Sequence, residues 1–126
     1  MSVPRLDNRV ALITGASRGL GKAMALALGG AGARLALVAR DLELLRRTAE
    51  EARRLGAEAE VFRADVTDEE QVRQLERDVI ARFGTLHILI NNAGINVRKP
   101  ITEFTLEEWR KVVDTNLTAA FLLCRA

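Results

Sequence analysis

A glycine-rich segment, residues 14–21 with the sequence TGASRGLG, lies between a short apolar run and a stretch rich in alanine and leucine. This order predicts a strand, a tight loop and a helix. Gly15 would permit the turn after the strand, Gly19 would let the backbone approach a pyrophosphate, and Gly21 would let the helix pack close to the sheet. The first turn of that helix would offer free N–H groups and partial positive charge to the phosphates. The segment therefore favours a dinucleotide-binding β-α-β unit, and a plain glycine-rich turn is the alternative.

Strand-like and helix-like segments alternate along the whole chain. Short apolar runs predict buried parallel strands, and longer amphipathic stretches predict the helices between them. The alternation predicts an α/β fold of the Rossmann type, which is a doubly wound parallel sheet with helices on both faces. The predicted strands cover residues 10–14, 34–39, 60–64 and 87–91, and the predicted helices cover residues 20–30, 42–55, 68–83 and 106 onward.

Start and stop signals mark the ends of these helices. Asp41 is the predicted N-cap of the second helix, and glycines follow the ends of the second and third helices at positions 56 and 84. Capping boxes, in which an N-cap threonine pairs with a glutamate three residues later, begin the third helix at Thr67 and the fourth at Thr105. Trp109 would pack the fourth helix on the sheet or on a partner subunit. No stop signal ends this helix, so we expect residues 1–126 to be the N-terminal portion of a dinucleotide-binding domain whose catalytic C-terminal portion is absent.

The residue after the second strand decides which dinucleotide such a fold prefers. An acidic side chain there binds the ribose 2′-hydroxyl of NAD, whereas an arginine suits the 2′-phosphate of NADP. The chain has Arg40 at this place, and Arg18 in the glycine-rich segment could add a second cation. Asp41 could act as a displaced NAD-type acid, but it is also the predicted helix cap. We therefore predict NADP as the cofactor, with NAD as the alternative.

Two motifs at their places in this order resemble those of the short-chain dehydrogenase/reductase family. One is TGxxxGxG at residues 14–21, and the other is Asn-Asn-Ala-Gly at residues 91–94, after the fourth strand. Asp65-Val66 after the third strand and Asn116 in the last helix also match the family pattern, so the resemblance covers essentially the whole chain. It implies that the cofactor contacts Gly15, Ser17, Arg18, Gly19, Leu20, Gly21, Arg40, Asp65, Val66, Asn92, Ala93 and Gly94.

The resemblance also implies what the matched residues do. Asp65 would accept a hydrogen bond from the exocyclic amine of adenine, the Val66 N–H would bond a ring nitrogen, and residues 92–94 would line the cofactor. Asn116, the predicted catalytic residue of this chain, would bend its helix and hold a water in a proton relay. The serine, tyrosine and lysine that act in the family lie farther along, and this chain has no tyrosine. Because carbonyl reduction needs a general acid, we expect the 126 residues to bind nucleotide without catalysing.

The activity that the resemblance implies is NAD(P)-dependent oxidation and reduction, with hydride passing between the nicotinamide and a small alcohol or ketone. The alternatives are a non-catalytic dinucleotide-binding or sensing module and a pure interaction protein. The segment Arg98-Lys99-Pro100 could guide an acidic substrate or could be a solvated loop. The parent protein is expected to be a homo-oligomer, either a dimer or a tetramer.

Composition argues against several other classes of partner. The net charge is only +2, and acidic residues lie close to the basic ones, which disfavours nucleic acid binding. The longest apolar run, near residues 117–124, is too short to span a membrane, and residues 1–9 lack the apolar core of a signal peptide. Cys124 is the only cysteine, which suits a reducing, cytoplasmic setting. His87 has no second ligand nearby, so we interpret it as structural and predict no metal site.

Overall fold

The computed structural model describes residues 5–126 and contains a four-stranded parallel sheet with helices on both faces. The strands are β1 (Val10–Thr14), β2 (Arg34–Ala39), β3 (Ala59–Arg63) and β4 (Ile88–Ile90), in the order β3-β2-β1-β4. The main helices are α1 (Gly19–Gly30), α2 (Leu42–Arg54), α3 (Glu69–Phe83), α4 (Leu106–Val113) and α5 (Ala119–Arg125). The predicted Rossmann-type fold is therefore confirmed.

The sheet separates two apolar cores, which explains why its central strands are apolar throughout. Successive side chains of a strand point to opposite faces, so Val10 and Leu12 enter one core while Ala11 and Ile13 enter the other. Helices α3 and α5 cover the first core, and α1 and α2 cover the second. The helical residues buried in these cores include Val72, Leu75, Val79, Phe83, Leu122 and Leu123 on the first face and Ala25, Leu45, Ala49 and Ala52 on the second.

Most predicted helix ends are confirmed. The Asp41 carboxylate accepts a hydrogen bond from the Leu44 N–H at 3.1 Å, and Thr105 forms the expected capping box with Glu108. The predicted cap at Thr67 is wrong, because α3 is capped by Asp68, whose carboxylate accepts from the N–H of Gln71 at 3.1 Å. The Thr67 hydroxyl donates instead to the carboxylate of Asp65, two residues earlier, at 2.6 Å.

The last strand is shorter than predicted, because the His87 side chain replaces part of the regular ladder. The Val10 N–H donates to His87 Nδ1 at 2.9 Å, and the His87 N–H donates to the Val10 carbonyl at 3.0 Å. This pair of hydrogen bonds supports the structural interpretation of His87. Strand β3 lies one residue earlier than predicted, and a short 3-10 turn at Ile101–Glu103 was not predicted.

The last helix differs most from its prediction, since five residues of π-helix, Asp114–Thr118, separate α4 from α5. Four large apolar side chains along this helix are more than half exposed: Leu106, Trp109, Leu117 and Phe121. The expected packing of Trp109 on the sheet is therefore wrong, and its packing on a partner subunit stays a prediction. Among the described strands, β4 pairs with β1 alone and forms one edge of the sheet.

The structure describes only part of the chain on which the signal-peptide and membrane predictions depend. Residues 1–4, the start of the segment in which we predict no signal peptide, lie outside the described residues. Within residues 5–126, the helices are all too short or too polar to cross a lipid bilayer.

Candidate functional site

The parallel arrangement brings the carboxyl ends of all four strands to one edge of the sheet, where a cleft of about 790 Å³ opens. Parallel sheets of this kind bind ligands outside the carboxyl ends of their strands, at the point where the strand order reverses. Here that point lies between β1 and β4. Most of the predicted cofactor residues line the cleft: Gly15, Ser17, Arg18, Gly19, Arg40, Asp65, Val66, Asn92, Ala93 and Gly94. Leu20 and Gly21, which were also predicted to contact the cofactor, do not line the cleft. Leu20 is exposed to solvent in the first turn of α1, and Gly21 is buried.

The glycine loop has the backbone geometry that its sequence predicts. Gly15 and Gly19 have φ values of +65° and +59°, which side-chain-bearing residues adopt only with strain. A Cβ on Gly21 would overlap the Gly15 carbonyl and the Asn92 amide, whereas a Cβ on Gly19 would stand in open space. Gly21 therefore allows close packing within the protein, and Gly19 leaves bare backbone beside the cleft.

A threonine that the sequence analysis did not single out as a site residue joins the glycine-rich motif to the Asn-Asn-Ala-Gly motif. The Thr14 hydroxyl is buried and accepts hydrogen bonds from the N–H groups of Asn92 and Ala93 at 3.0 and 2.9 Å. The same hydroxyl donates to the Ile90 carbonyl at 3.4 Å. The Asn92 side chain then donates to the Gly15 carbonyl at 3.3 Å. These contacts hold the glycine loop and the segment after β4 against each other. Thr14 is the first residue of the TGxxxGxG motif, but the motif alone does not indicate which groups its hydroxyl would bond.

Asp65 is fixed by its own neighbours. One carboxylate oxygen, Oδ1, accepts both the Thr67 hydroxyl at 2.6 Å and the Thr67 N–H at 3.0 Å. The hydroxyl bond is the main reason why the pKa of Asp65 lies below its usual range, and the positive charge of Arg40 adds a smaller effect. The Asp65 N–H donates to Gln71 Oε1 at 2.9 Å. The ionised carboxylate therefore faces the cleft in one orientation, and its second oxygen, Oδ2, makes no hydrogen bond to residues 5–126.

The two predicted phosphate-binding cations, Arg18 and Arg40, are exposed and both line the cleft. Neither forms an ion pair with any residue that the structure describes. The backbone carbonyl of Arg40 is held by Arg63 Nε at 3.2 Å. Both guanidinium groups are therefore available to an anionic ligand.

Helix α4 and the π-helical turn form a wall of the cleft that sequence reasoning missed. Their contributing residues are spaced three or four apart, which is one face of a helix. The apolar side chains that remain exposed lie on other positions of the helix. The residues on the cleft wall are Glu107, Arg110, Lys111, Asp114 and Thr115.

Asn116 does not line the cleft, although its contacts reach the segment that does. Its side chain bonds both backbone groups of Ile95, which is a lining residue. In the neighbouring loop, Lys99 forms a 2.7 Å ion pair with Glu108. That pair favours a structural role for Lys99 over guidance of an acidic substrate.

Nearly the whole chain is similar to known proteins. A family model for short chain dehydrogenases matches residues 9–126. A 3-oxoacyl-[acyl-carrier-protein] reductase from Synechocystis is 38% identical over 122 residues, which are 96% of this chain and 49% of that protein.

Solved structures agree with this match. A short-chain type dehydrogenase/reductase from Mycobacterium marinum superimposes with a TM-score of 0.93 at 39% identity, over 96% of this chain and 49% of that one. A metagenomic short-chain oxidoreductase in complex with NADP gives a TM-score of 0.92 at 39% identity, over 96% of this chain and 55% of that one. The chain thus spans about half the length of these relatives.

Proposed function

This chain belongs to the short chain dehydrogenase family, and from that premise we propose that it forms the NADP-binding portion of an oxidoreductase. The whole protein would pass hydride between the nicotinamide and a small alcohol or ketone. Residues 1–126 would supply the Rossmann-type cofactor site.

The observation that carries this proposal is the uncapped start of α1. Side chains cap α2, α3 and α4, whereas Arg18 at the N-cap of α1 provides no side-chain hydrogen bond. The first N–H groups of a helix need acceptors, and those of α1 lie beside the bare backbone of Gly19. A pyrophosphate is an acceptor of suitable charge for such a helix start.

The remaining contacts follow along the cleft. The free Oδ2 of Asp65 would accept from the adenine amine, and the Val66 N–H would donate to a ring nitrogen. Asn92, Ala93 and Gly94 would line the nicotinamide half. A bound dinucleotide would supply the hydride chemistry, while these residues bind and orient it.

The proposed preference for NADP rests on the positive charges of Arg40 and Arg18 and on the capping role of Asp41. The Asp41 carboxylate caps α2 through the Leu44 N–H, so its first role is structural rather than binding of a ribose hydroxyl. The two arginines, which form no ion pair with residues 5–126, suit a 2′-phosphate, which arginine can bind with two parallel hydrogen bonds. The NADP complex of the metagenomic relative supports the same preference.

We propose further that these 126 residues bind the cofactor without turnover. Reduction of a ketone requires a proton donor at the developing alkoxide, and the chain has no tyrosine. In the whole protein, Asn116 would hold a water of the proton relay from its place in the π-helical turn.

The exposed side chains of Leu106, Trp109, Leu117 and Phe121 support a homo-oligomer for the whole protein. Apolar side chains that cluster on a surface favour association. Sedimentation of the whole protein as a dimer or tetramer is the expected result, and a monomer at micromolar concentration would contradict it.

Titration of the chain with NADPH and NADH, followed by calorimetry and nucleotide fluorescence, tests the proposed function. Both ligands should bind, and NADPH should bind at least about tenfold more tightly because of charge-assisted hydrogen bonds to its 2′-phosphate. No heat and no fluorescence change with either ligand would overturn the proposal. A ketone-reduction assay with NADPH should show no turnover by the chain alone, and measurable turnover would overturn the proposed inactivity.

A further inference from the structure

One polar side chain interrupts the buried face of α2. Thr48 is fully buried between Leu45 and Ala52, at helical spacing along an otherwise apolar stripe. Its hydroxyl donates to the carbonyl oxygen of Ser17 at 3.4 Å, the only hydrogen bond that this hydroxyl makes within residues 5–126. A buried hydroxyl without a partner is destabilising, so this position requires an acceptor, and the glycine loop provides it.

The Ser17 carbonyl belongs to the peptide group that ends in the Arg18 N–H. A trans peptide is planar, and its C=O and N–H bonds point in opposite directions. Holding the Ser17 oxygen towards α2 therefore turns the Arg18 N–H away from α2. Ser17, Arg18 and Gly19 line the cleft, and no residue that the structure describes accepts from the Arg18 N–H.

The rest of the loop is held by contacts that do not orient this peptide group. The Ala16 N–H donates to the Val38 carbonyl at 3.3 Å, and the Gly15 carbonyl accepts from Asn92. Beyond the loop, the ion pair of Lys22 with Glu51, at 2.8 Å, joins α1 to α2. Among residues 5–126, Thr48 is the side chain that forms a hydrogen bond with the Ser17–Arg18 peptide group.

We infer that Thr48 is a positioning residue, which holds the Ser17–Arg18 peptide so that the Arg18 N–H points at the cofactor's pyrophosphate. This inference rests on the proposed function. The pyrophosphate is common to NADP and NAD, so Thr48 should affect the affinity for both dinucleotides equally. That pattern separates Thr48 from Arg40, whose effect should depend on the 2′-phosphate.

Thr48→Val removes the hydroxyl and keeps the side-chain volume, and Thr48→Ser keeps the hydroxyl. Thr48→Val should weaken NADPH and NADH binding by about tenfold each, the effect of one charge-assisted hydrogen bond, with the NADPH-to-NADH ratio unchanged. Thr48→Ser should bind both within about twofold of the original chain. Adenosine 2′-monophosphate, which has no pyrophosphate, should bind the Val variant as well as it binds the original chain.

Two further variants separate positioning from a general loss of stability. Ala49→Gly, on the same buried face, should lower the melting temperature and leave dinucleotide affinity unchanged. If Thr48→Val does not fold, Thr48→Ala removes the same hydroxyl with a good helix former and replaces it in the experiment.

The experiment distinguishes failure of the proposed function from failure of the inference about Thr48. If the original chain binds no dinucleotide, the proposed function fails. If the original chain binds but the variant without the hydroxyl binds equally well, or loses adenosine 2′-monophosphate to the same extent, the inference about Thr48 is overturned. An altered NADPH-to-NADH ratio would overturn it as well.

Discussion

The side-chain amide of Asn116 bonds both backbone groups of one residue, Ile95. Asn116 Oδ1 accepts from the Ile95 N–H at 2.8 Å, and Asn116 Nδ2 donates to the Ile95 carbonyl at 2.9 Å. The asparagine lies in the middle of the π-helical turn, and Ile95 lies in the segment that lines the cleft after β4. A local widening of the last helix is therefore tied directly to the wall of the candidate site. Single π-helical turns are frequent at functional sites.

Asn116→Ala should remove both bonds and lower the free energy of unfolding by about 1–2 kcal/mol, the usual net value of two neutral hydrogen bonds. Urea denaturation measures this change. Asn91→Ala is the control, because within residues 5–126 the Asn91 amide forms a hydrogen bond only with the Cys124 sulfur at 3.5 Å, and sulfur is a weak acceptor. Equal destabilisation by the two variants would show that the Asn116–Ile95 pair has no special importance.

Gly19→Ala and Gly30→Ala form a matched pair within α1. A Cβ at either position stands in open space, but only Gly19 has a left-handed φ and borders the cleft. Gly30→Ala should stabilise the chain by about 0.5–1 kcal/mol with no change in NADPH affinity. Gly19→Ala should destabilise it by about 1 kcal/mol through backbone strain and weaken NADPH binding. Calorimetric titration and thermal melting of both variants make the comparison, and full NADPH affinity in the Gly19 variant would contradict the assignment of the loop.

Arg40→Asp should weaken NADPH binding at least tenfold and spare or improve NADH binding, because the new carboxylate repels a 2′-phosphate and can accept from a ribose hydroxyl. The ratio of the two dissociation constants is the measurement. Arg47→Asp makes the same charge change on an exposed face of α2 outside the cleft, and it should leave that ratio unchanged. A ratio that does not move in the Arg40 variant would remove the basis for NADP preference.

Glu58 should make the stability depend on acidic pH. Hydrogen bonds from Arg34 at 2.6 Å and from Arg82 at 2.7 Å lower the pKa of Glu58 from 4.5 to about 2. Because its folded-state pKa is depressed, its stabilisation is present above pH 4.5 and is lost as the pH falls towards 2. The side chain is 43% exposed, so solvent screening should keep the effect below about 1 kcal/mol.

The measurement for Glu58 is the urea midpoint at several pH values between 7 and about 2, the range over which its linkage acts. Glu58→Gln should flatten that dependence. Glu76→Gln is the control, because Glu76 forms no ion pair with the residues that the structure describes. If both variants keep the slope of the original chain, the cluster around Glu58 does not contribute to it.

Local patterns predicted the elements of the fold well, and one of the errors is also local. Apolar runs located β1 and β2 to the residue, and Asp41, Thr105 and Gly84 marked helix ends correctly. The error at Thr67 arose because two acceptors compete nearby. The Asp65 carboxylate binds the Thr67 hydroxyl, which leaves Asp68 to cap α3.

The sequence by itself determined the alternating elements and the glycine loop, because these depend on backbone conformation and on neighbours within a few residues. The tertiary structure decided which side chains hold the site in place. Thr14 and Asn92 are 78 residues apart, and Thr48 reaches the loop from 31 residues away. A buried hydroxyl bonds whichever backbone group the packing of sheet and helices brings within hydrogen-bonding distance. No periodicity in the chain encodes that distance, so the role of these threonines depends on the assembled fold.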